Sequence, residues 1–548
     1  MIALEDKGSE RRKKLKVPDA RLSQDLFVSL VHALFCDLHE TNLTFNTIQI
    51  KSKMVQRIAT QVTAPDKEDS LANLIGQFGR WQFLVFATVS LVKLSSGWVQ
   101  MAILFLTPKL TFWCVEFRNG SAYSAPVVEN STCYSDCLKY DYDASPFDNT
   151  IVSEWDLVCE RGWLASFTQM VLQLGILLGS IVFGFLSDRY GRKITFLISI
   201  TFLVLLGFAI PFAPNYATFT VIRFFWGVAT SGTMVVSFVI VMETIGSNYR
   251  EMLGCLFQIP FIIGHMTVPL FAYYFRSWDS YSLAMAVPPL IYLMYFISLT
   301  ESPRWLLSVG RVDKAAKIVK KAAQFNGLPT TKIDETLKQL SDDIRSKSQE
   351  GRANYTDLLR PALLVKTVCC CVMWTIVGLT FYGFNQYISQ TSPDPFVTVA
   401  AAGAIQIPSN IISIWLIKRF GRKLTIAITF ILGGICVLLL GVVPKTYAIT
   451  LTLGTLGVSC TAIVAASIYI YTSELFPTVV RNMSMGACSM CMRIGSMIAP
   501  FISNLALTVP WLPTVVFGFA AIAASAMCLF LPETKGTTLP DSLEDVSK

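Results

Sequence analysis

The sequence predicts an all-α membrane protein in which twelve helices cross the bilayer as two bundles of six. Of the 548 residues, 53% are hydrophobic and only 15% are charged, whereas a soluble domain carries roughly 25% charged residues. The apolar residues are gathered in long blocks, and a helix that rises about 1.5 Å per residue needs roughly 20 of them to cross the hydrocarbon. Three motifs also recur in the second half of the chain, which predicts a duplicated bundle.

Twelve apolar blocks are long enough to span the membrane. Seven contain no Asp, Glu, Lys, Arg or His, and each of the other five carries a single basic residue. Core helices of soluble proteins are shorter and amphipathic, so the soluble alternative is disfavoured. The predicted spans are 83–107, 164–186, 194–212, 215–242, 253–275, 281–299, 363–385, 396–417, 424–443, 446–472, 483–509 and 511–531.

Lys and Arg residues determine the orientation that we expect. They occupy the connections after spans 2, 6 and 8 and are absent from those after spans 3, 7 and 11, so the positive-inside rule places both termini in the cytoplasm. The net charge of +8 comes from short loops rather than one face, which disfavours a nucleic-acid partner. The predicted parts are a poorly ordered cytoplasmic extension (1–69), an N-terminal bundle (70–305), a cytoplasmic linker with short helices (306–362), a C-terminal bundle (363–536) and a cytoplasmic tail (537–548).

The long loop after the first span, residues 108–163, is external in this topology. Its four cysteines can form two disulfides in three pairings, and the sequence does not choose among them. Zinc binding is the weaker alternative, because the loop has no Cys-x-x-Cys pair and no His. Two glycosylation sequons in the same loop agree with the topology. The residues concerned are Cys114, Cys133, Cys137 and Cys159 for the disulfides and Asn119 and Asn130 for glycosylation.

Three motifs recur at an offset of 230 to 232 residues. Each falls at the cytoplasmic end of a corresponding span, and an offset that covers six spans predicts two copies of one bundle in the same orientation. The recurring pairs are the hexapeptides 188–193 and 418–423, Glu243 and Glu474, and Glu301 and Glu533.

These motifs are expected to have mechanical roles. Gly191 and Gly421 allow tight turns between antiparallel helices, where a Cβ would clash. Asp188 is expected near the start of the third span, because a carboxylate favours a helix N-terminus. Arg189 and Arg192 are expected to pair with carboxylates on other helices. The predicted set of gating and structural residues is Asp188, Arg189, Gly191, Arg192, Glu243, Arg250, Arg419, Gly421, Arg422, Glu474 and Arg481.

Charged residues deep inside the predicted spans are candidates for binding a solute, because a charge inside the hydrocarbon costs free energy and rarely occurs there without a function. Arg493 is expected to be the counter-charge of a substrate carboxylate, with a structural contact to a neighbouring helix as the alternative. Lys93 lies at a similar depth. Its side chain either contacts the substrate or extends toward water, and the sequence does not choose between these alternatives. Arg223 is interpreted as structural, and His265 is expected to bond a backbone carbonyl.

Aromatic side chains on the first and seventh spans provide surfaces for planar or cationic organic groups. As a set they suit a cavity that tolerates varied solutes. The candidate substrate-binding residues are Arg493, Lys93, Trp98, Gln100, Trp374, Phe381, Tyr382 and Gln406.

Several enzyme motifs are missing from the sequence. It contains no Gly-x-x-x-x-Gly-Lys-Ser/Thr loop, no His-Glu-x-x-His pair and no Gly-x-Ser-x-Gly elbow. With three histidines, a metal-dependent enzyme is disfavoured, and no metal or cofactor is predicted. Solute movement by such a chain is expected to be driven by gradients rather than by ATP.

Several segments resemble a known superfamily. Residues 184–193 are similar to the helix 2–3 motif of the major facilitator superfamily, and 301–306 and 532–536 resemble its sugar-transporter-like branch. A narrower resemblance is to solute carrier family 22, the organic ion transporters, and it lies in residues 76–82, 150–159 and 481–500. Residues 91–98 are most similar to the arthropod proteins called organic cation transporter proteins.

This resemblance implies the major facilitator fold and a polyspecific organic ion carrier of the plasma membrane, which alternates access as a facilitative carrier or an exchanger. Gln406 stands where family members commonly have Glu. Arg493 stands where vertebrate organic cation transporters carry an acid and where anion and carnitine transporters carry Arg. The expected partners are therefore the lipid bilayer and a small organic ion that bears a carboxylate, or a carnitine-like zwitterion. A sugar-type carrier and a receptor that has lost transport are the alternatives, and the oligomeric state is not predicted.

Overall fold

A computed structural model of the protein describes residues 70–118, 131–347, 355–444 and 446–536. Within this part, twelve helices are long and apolar enough to cross a membrane. Each overlaps one predicted span, so the prediction of an all-α protein with twelve spans is confirmed. The helices are α1 (Arg80–Leu106), α2 (Cys159–Tyr190), α3 (Arg192–Phe212), α4 (Tyr216–Thr244), α5 (Ser247–Tyr274), α6 (Trp278–Ser298), α7 (Pro361–Thr391), α8 (Pro395–Phe420), α9 (Arg422–Val442), α10 (Tyr447–Leu475), α11 (Val479–Asn504) and α12 (Leu512–Leu529).

Three of the twelve helices, α1, α5 and α6, are interrupted within the span, whereas α2 begins with the 3₁₀ helix Cys159–Arg161 and α3 ends with the 3₁₀ helix Ile210–Phe212. Prolines lie in the first turn of the second segment of α5 (Pro260) and at the start of the middle segment of α6 (Pro288), where the ring removes a backbone donor. The breaks in α1 have no proline, and nothing in the sequence explains them. The segments are Arg80–Ser90, Val92–Met101 and Ile103–Leu106 in α1; Ser247–Leu256 and Ile259–Tyr274 in α5; and Trp278–Ala286, the 3₁₀ helix Pro288–Met294 and Tyr295–Ser298 in α6.

The two halves share a pattern of close helix contacts. In the N-terminal half α1 and α5 meet at Gly97 and Gly264, where a Cβ would strike backbone atoms of the facing helix. In the C-terminal half α7 and α11 meet in the same way at Gly378 and Gly495. Small residues let helix backbones approach closely in a membrane. Equivalent helices therefore pack alike in the two halves, as the sequence repeat predicts.

At the end of the molecule opposite the long loop, α2, α3 and α4 are tied by ion pairs. The Arg192 guanidinium contacts Glu243 at 2.7 Å and Asp188 at 2.8 Å. Asp188 lies in the last turn of α2, so the expectation that it stands at the start of α3 is wrong. Glu301 takes that place, accepting hydrogen bonds from the backbone N–H groups of Arg192 (2.9 Å) and Lys193 (3.1 Å).

The second half repeats this arrangement. Arg422 contacts Glu474 at 2.6 Å, and Glu533 accepts from the backbone N–H groups of Arg422 (2.9 Å) and Lys423 (3.1 Å) at the start of α9. Gly421 precedes that helix with φ +96°, a value that favours glycine. Each half therefore carries one carboxylate that caps a helix and another that pairs with the first arginine of that helix.

The other motif arginines contact different groups. Arg189 was expected to pair with a carboxylate on another helix, but it is exposed and its guanidinium lies over the ring of Tyr190. Arg250 donates to the carbonyl of Ile245 at 3.2 Å, and Arg419 lies over the ring that follows it. The Nε and Nη2 atoms of Arg481 are buried without a hydrogen-bond partner among the described residues.

The long loop carries a two-stranded antiparallel sheet of β1 (Phe112–Phe117) and β2 (Cys137–Tyr142). Cys114 is bonded to Cys137, and Cys133 to Cys159, which is one of the three pairings left open by the sequence. A four-residue helix, Ile151–Glu154, and the 3₁₀ helix Cys159–Arg161 follow the sheet. The predicted glycosylation sites Asn119 and Asn130 lie outside the described residues.

Between the halves, the chain forms short helices that contact the first half. Asn326 accepts from the backbone N–H of Trp81 at 2.9 Å and donates to the carbonyl of Ile75 at 2.7 Å and the side chain of Gln82 at 2.8 Å. The linker is therefore fixed to the start of α1. Its helices are Pro303–Ser308, Val312–Phe325, Ile333–Lys347 and the 3₁₀ helix Tyr355–Leu359.

Replacing either capping carboxylate is expected to destabilise the protein. Loss of a helix cap costs about 0.5–2 kcal/mol, so Glu301→Ala and Glu533→Ala should each lower the melting temperature in detergent. Glu301→Gln should cost less, because its amide oxygen still accepts hydrogen bonds. Asp342→Ala, at an exposed linker position, is the control. Melting curves equal to those of the control would contradict the capping role.

The disulfide pairing predicts which peptides remain joined when the protein is digested without reduction. Mass spectrometry should find a linked peptide pair containing Cys114 and Cys137, and another containing Cys133 and Cys159. Reduction before digestion should separate both pairs. Linked peptides that join Cys114 to Cys133 or to Cys159 would contradict the structure.

Candidate functional site

The two halves touch at the end of the molecule that carries the long loop. There the Ser166 hydroxyl of α2 donates to the Pro500 carbonyl of α11 at 3.0 Å. The Asn504 amide, at the end of α11, donates to the Gly162 carbonyl at 3.3 Å. These hydrogen bonds join helices from opposite halves, so the loop end is closed in this conformation.

Arg493 lies at mid-depth, where the halves meet. Its Nη1 atom is 3.3 Å from the Gln100 side-chain oxygen on α1 and 3.3 Å from the Tyr382 hydroxyl on α7. That hydroxyl also donates to the same Gln100 oxygen. Three predicted binding residues from both halves are thus brought together.

The positive charge of Arg493 is not neutralised by an acid. Within the described residues no carboxylate forms an ion pair with it, and its two neutral contacts are longer than the roughly 2.7–2.9 Å of a charge-assisted hydrogen bond. The side chain is half-buried. Its guanidinium is therefore free to form stronger hydrogen bonds with an anionic ligand.

A chain of amides continues from this point into the N-terminal half. The Gln169 side chain on α2 donates to the Gln100 carbonyl at 3.2 Å and accepts from Arg223 on α4 at 2.9 Å. Arg223 is only 1% exposed and also lies over the ring of Phe219. This network supports the structural interpretation of Arg223, and it adds Gln169, which sequence reasoning missed.

Lys93 is a second basic side chain in the same region. Its Nζ atom is 3.4 Å from the Gln258 side-chain oxygen and 5.0 Å from the centre of the Phe257 ring. The side chain is 5% exposed, and the charge of Arg493 acts on it electrostatically. Two basic side chains therefore share this region, and within the described residues no carboxylate forms an ion pair with either of them.

The predicted aromatic residues divide into two groups. Trp98 and Trp374 each donate from the indole to a threonine on a neighbouring helix, at 2.9 Å in both cases. Trp374 is fully buried within the C-terminal half, where its ring lies 4.4 Å from that of Tyr469. Phe381 packs edge-on against Tyr382, the aromatic residue that reaches Arg493. The two tryptophans are thus held by the packing between helices.

Gln406 forms a further contact between the halves. Its amide nitrogen on α8 is 2.9 Å from Nδ1 of His265 on α5 and 2.9 Å from the Ala402 carbonyl. The expectation that His265 bonds a backbone carbonyl is therefore wrong. Both side chains are buried because α5 and α8 approach closely at Gly403, where a Cβ would meet the backbone of Met266.

Sequence comparisons establish the family. The family described as "Sugar (and other) transporter" matches residues 118–544. The "Organic cation transporter-like protein" of Drosophila melanogaster is 31% identical over 516 residues, which cover 86% of this chain and 91% of that protein. "Solute carrier family 22 member 3" of Mus musculus is 32% identical over 404 residues, covering 73% of this chain and 72% of that protein.

The chain belongs to solute carrier family 22. The "Organic cation/carnitine transporter 2" of Rattus norvegicus is 29% identical and covers 87% of this chain and 93% of that relative. These relatives are named as transporters rather than as enzymes.

Solved structures agree with the fold of a family 22 carrier. The xylose transporter XylE from E. coli, in an inward-open conformation, matches with a TM-score of 0.60 at 17% identity, covering 84% of this chain and 98% of that one. A D-xylose-proton symporter matches with a TM-score of 0.57 at 16% identity, covering 83% of this chain and 99% of that one. At this identity the likeness shows the shared major facilitator fold.

Two polar residues of this family 22 chain were not predicted as site residues, although their position inside an apolar span could have identified them. Gln169 and Gln173 stand one turn apart in an otherwise apolar stretch of α2, and both are buried. Neither Gln173 side-chain polar atom has a hydrogen-bond partner among the described residues. An amide inside a span is costly unless it has a partner, so both could have been singled out.

Proposed function

We propose that the protein carries organic ions across the plasma membrane, and that it prefers solutes with a carboxylate over simple cations. It works by alternating access, as a facilitative carrier or an exchanger with broad specificity. The observation that carries this proposal is the Arg493 guanidinium, which lies between the two halves and whose two hydrogen-bond partners among the described residues are neutral and 3.3 Å away.

The chemistry of Arg493 favours an anionic ligand. A guanidinium is planar and always charged, and it can donate two parallel hydrogen bonds to one carboxylate. A substrate carboxylate would replace the Gln100 oxygen, which is 3.3 Å away and uncharged. The gain is larger in a site with few competing waters, because charges interact more strongly at low dielectric. Lys93 would add to this attraction from nearby.

A zwitterion such as a carnitine-like solute also suits the site. Its carboxylate would bind Arg493, while its cationic group would lie against aromatic side chains, which attract cations with the faces of their rings. Tyr382, whose hydroxyl contacts Arg493, and its neighbour Phe381 provide such rings. The relatives' names include both cations and carnitine, and the Arg493 guanidinium favours the solutes of that range that carry a carboxylate.

Substrate binding would also loosen the contact between the halves. Gln100 belongs to the N-terminal half, whereas Arg493 and Tyr382 belong to the C-terminal half. A carboxylate that occupies the guanidinium removes one of the hydrogen bonds holding the halves together at mid-depth. This gives the loaded carrier a lower barrier to the rocking motion that alternates access.

The proposed orientation places both termini in the cytoplasm and the long loop outside the cell. Its support is the distribution of Lys and Arg among the short connections. The two disulfides of the loop add to it, because disulfides form and persist in oxidising compartments.

Uptake measurements with variants of Arg493 test the proposal. Hydrogen bonds to a charged group are worth about 1.5–3 kcal/mol, so Arg493→Ala should reduce uptake of labelled carnitine and of an aromatic monocarboxylate roughly 10-fold or more. Arg493→Lys should retain part of the activity, because it keeps the charge but loses the fork of donors. Uptake of labelled tetraethylammonium should be unchanged or higher.

The control for this experiment is Lys366→Ala, which removes a cation of α7 outside the Arg493 network. All variants are compared at equal surface abundance. Carboxylate uptake that survives in Arg493→Ala would contradict the counter-charge role. Uptake of a neutral hexose but of no organic ion would favour the sugar-type alternative.

A further inference from the structure

An aromatic cluster crosses between the halves at the loop end of the molecule. Phe396, in the first turn of α8, lies 5.4 Å from Phe105 in a stacked arrangement, 5.5 Å from Phe147 and 5.8 Å from Tyr273, measured between ring centres. The guanidinium carbon of Arg276 is 5.2 Å from the centre of the same ring. We call the four N-terminal-half side chains around Phe396 the aromatic cage.

One member of the cage comes from the long loop rather than from a span. Phe147 is only 5% exposed. The loop around it is fixed to the α5–α6 connection, because Arg276 donates to the Pro146 carbonyl and the Trp278 N–H donates to the Asn149 carbonyl at 3.0 Å. The loop thus holds a ring at the boundary between the two halves.

The disulfides make this part of the loop move with the N-terminal half. The Cys133–Cys159 bond ties the sheet region to the residues that begin α2. The Cys114–Cys137 bond ties β1 to β2, close after the end of α1. Phe147 therefore belongs to one braced unit with the N-terminal half, whereas Phe396 belongs to the other half.

We propose that Phe396 and the aromatic cage form the outer gate of the carrier, and that the long loop is a working part of this gate through Phe147. The contacts of Phe396 exist only while the halves touch at the loop end. Opening toward that side must withdraw Phe396 from three rings and a guanidinium. Stacked, edge-on and cation–π contacts each stabilise the closed arrangement.

This inference rests on the proposed function in one respect, namely that the halves alternate between open and closed at the loop end. Removing one ring from the cage weakens only the closed state. From the usual strength of an aromatic pair, we expect each removal to raise the population open at the loop end roughly 2- to 10-fold. Removal of both Phe147 and Phe396 should be less than additive, because they contact each other.

A buried reporter cysteine tests the gate without any substrate. Val399 is 1% exposed and follows Phe396 by about one turn of α8. Val399→Cys is expressed in cells and labelled from outside with a membrane-impermeant maleimide, and the parent chain gives the background from native thiols. Adding Phe396→Ala or Phe147→Ala should raise the labelling rate roughly 2- to 10-fold. Phe147→Leu, which keeps apolar volume but lacks the ring, should also raise it.

Two controls keep the outcomes distinct. Trp511→Ala removes an exposed aromatic side chain at the loop end outside the cage, and it should leave the labelling rate unchanged. Leu138→Cys, at an exposed position of β2, should react from outside in intact cells if the loop is external. Surface amounts are measured for every variant by biotinylation of lysines.

Labelling that rises with Phe396→Ala but not with either Phe147 variant would overturn the role of the loop. If labelling rises with neither Phe396→Ala nor the Phe147 variants, while Leu138→Cys reacts, the proposal of a gate at Phe396 is refuted. Because the readout needs no solute, a gate that behaves as expected in a protein that carries no organic ion would refute the proposed substrates alone.

Discussion

A guanidinium at mid-depth in a membrane protein is the constraint on which the rest of this structure depends. A charge is costly at that depth and persists only where polar groups or water surround it. Here Gln100 and Tyr382 provide two neutral contacts to Arg493, and they come from opposite halves of the molecule. The charge is therefore tolerated at the interface between the halves, which is where the proposed function places the carboxylate of the solute.

Each half is built to stay rigid while that interface changes. Ion pairs and capping carboxylates fasten the ends of α2, α3 and α4 in the first half and of α9 and α10 in the second, with the same geometry around Glu301 and Glu533. The linker is fixed to the first half through Asn326. By contrast, the halves contact each other through single hydrogen bonds and aromatic packing, such as those of Gln406 and Phe396. A carrier that alternates access by rocking needs two rigid halves, and it needs contacts between them that can break and reform.

The sequence predicted the spans and the repeat because both depend on local features. Length and hydrophobicity define a membrane helix. The hexapeptides 188–193 and 418–423 mark the same turn in the two halves, with Gly191 in one and Gly421 in the other. The meeting of Arg493 with Gln100 could not be derived in this way, since it depends on how α1 and α11 cross. The same holds for the pairing of four cysteines and for the His265–Gln406 contact. Glu301 was noticed as part of a repeat, but its capping role required the fold.

The most direct test of the central claim is a structure of the protein with a transported carboxylate bound. The account predicts carboxylate oxygens within hydrogen-bond distance of the Arg493 guanidinium, with the Gln100 side chain moved away from it. A carboxylate bound elsewhere, with the contacts among Arg493, Gln100 and Tyr382 unchanged, would contradict the claim that this guanidinium recognises the solute.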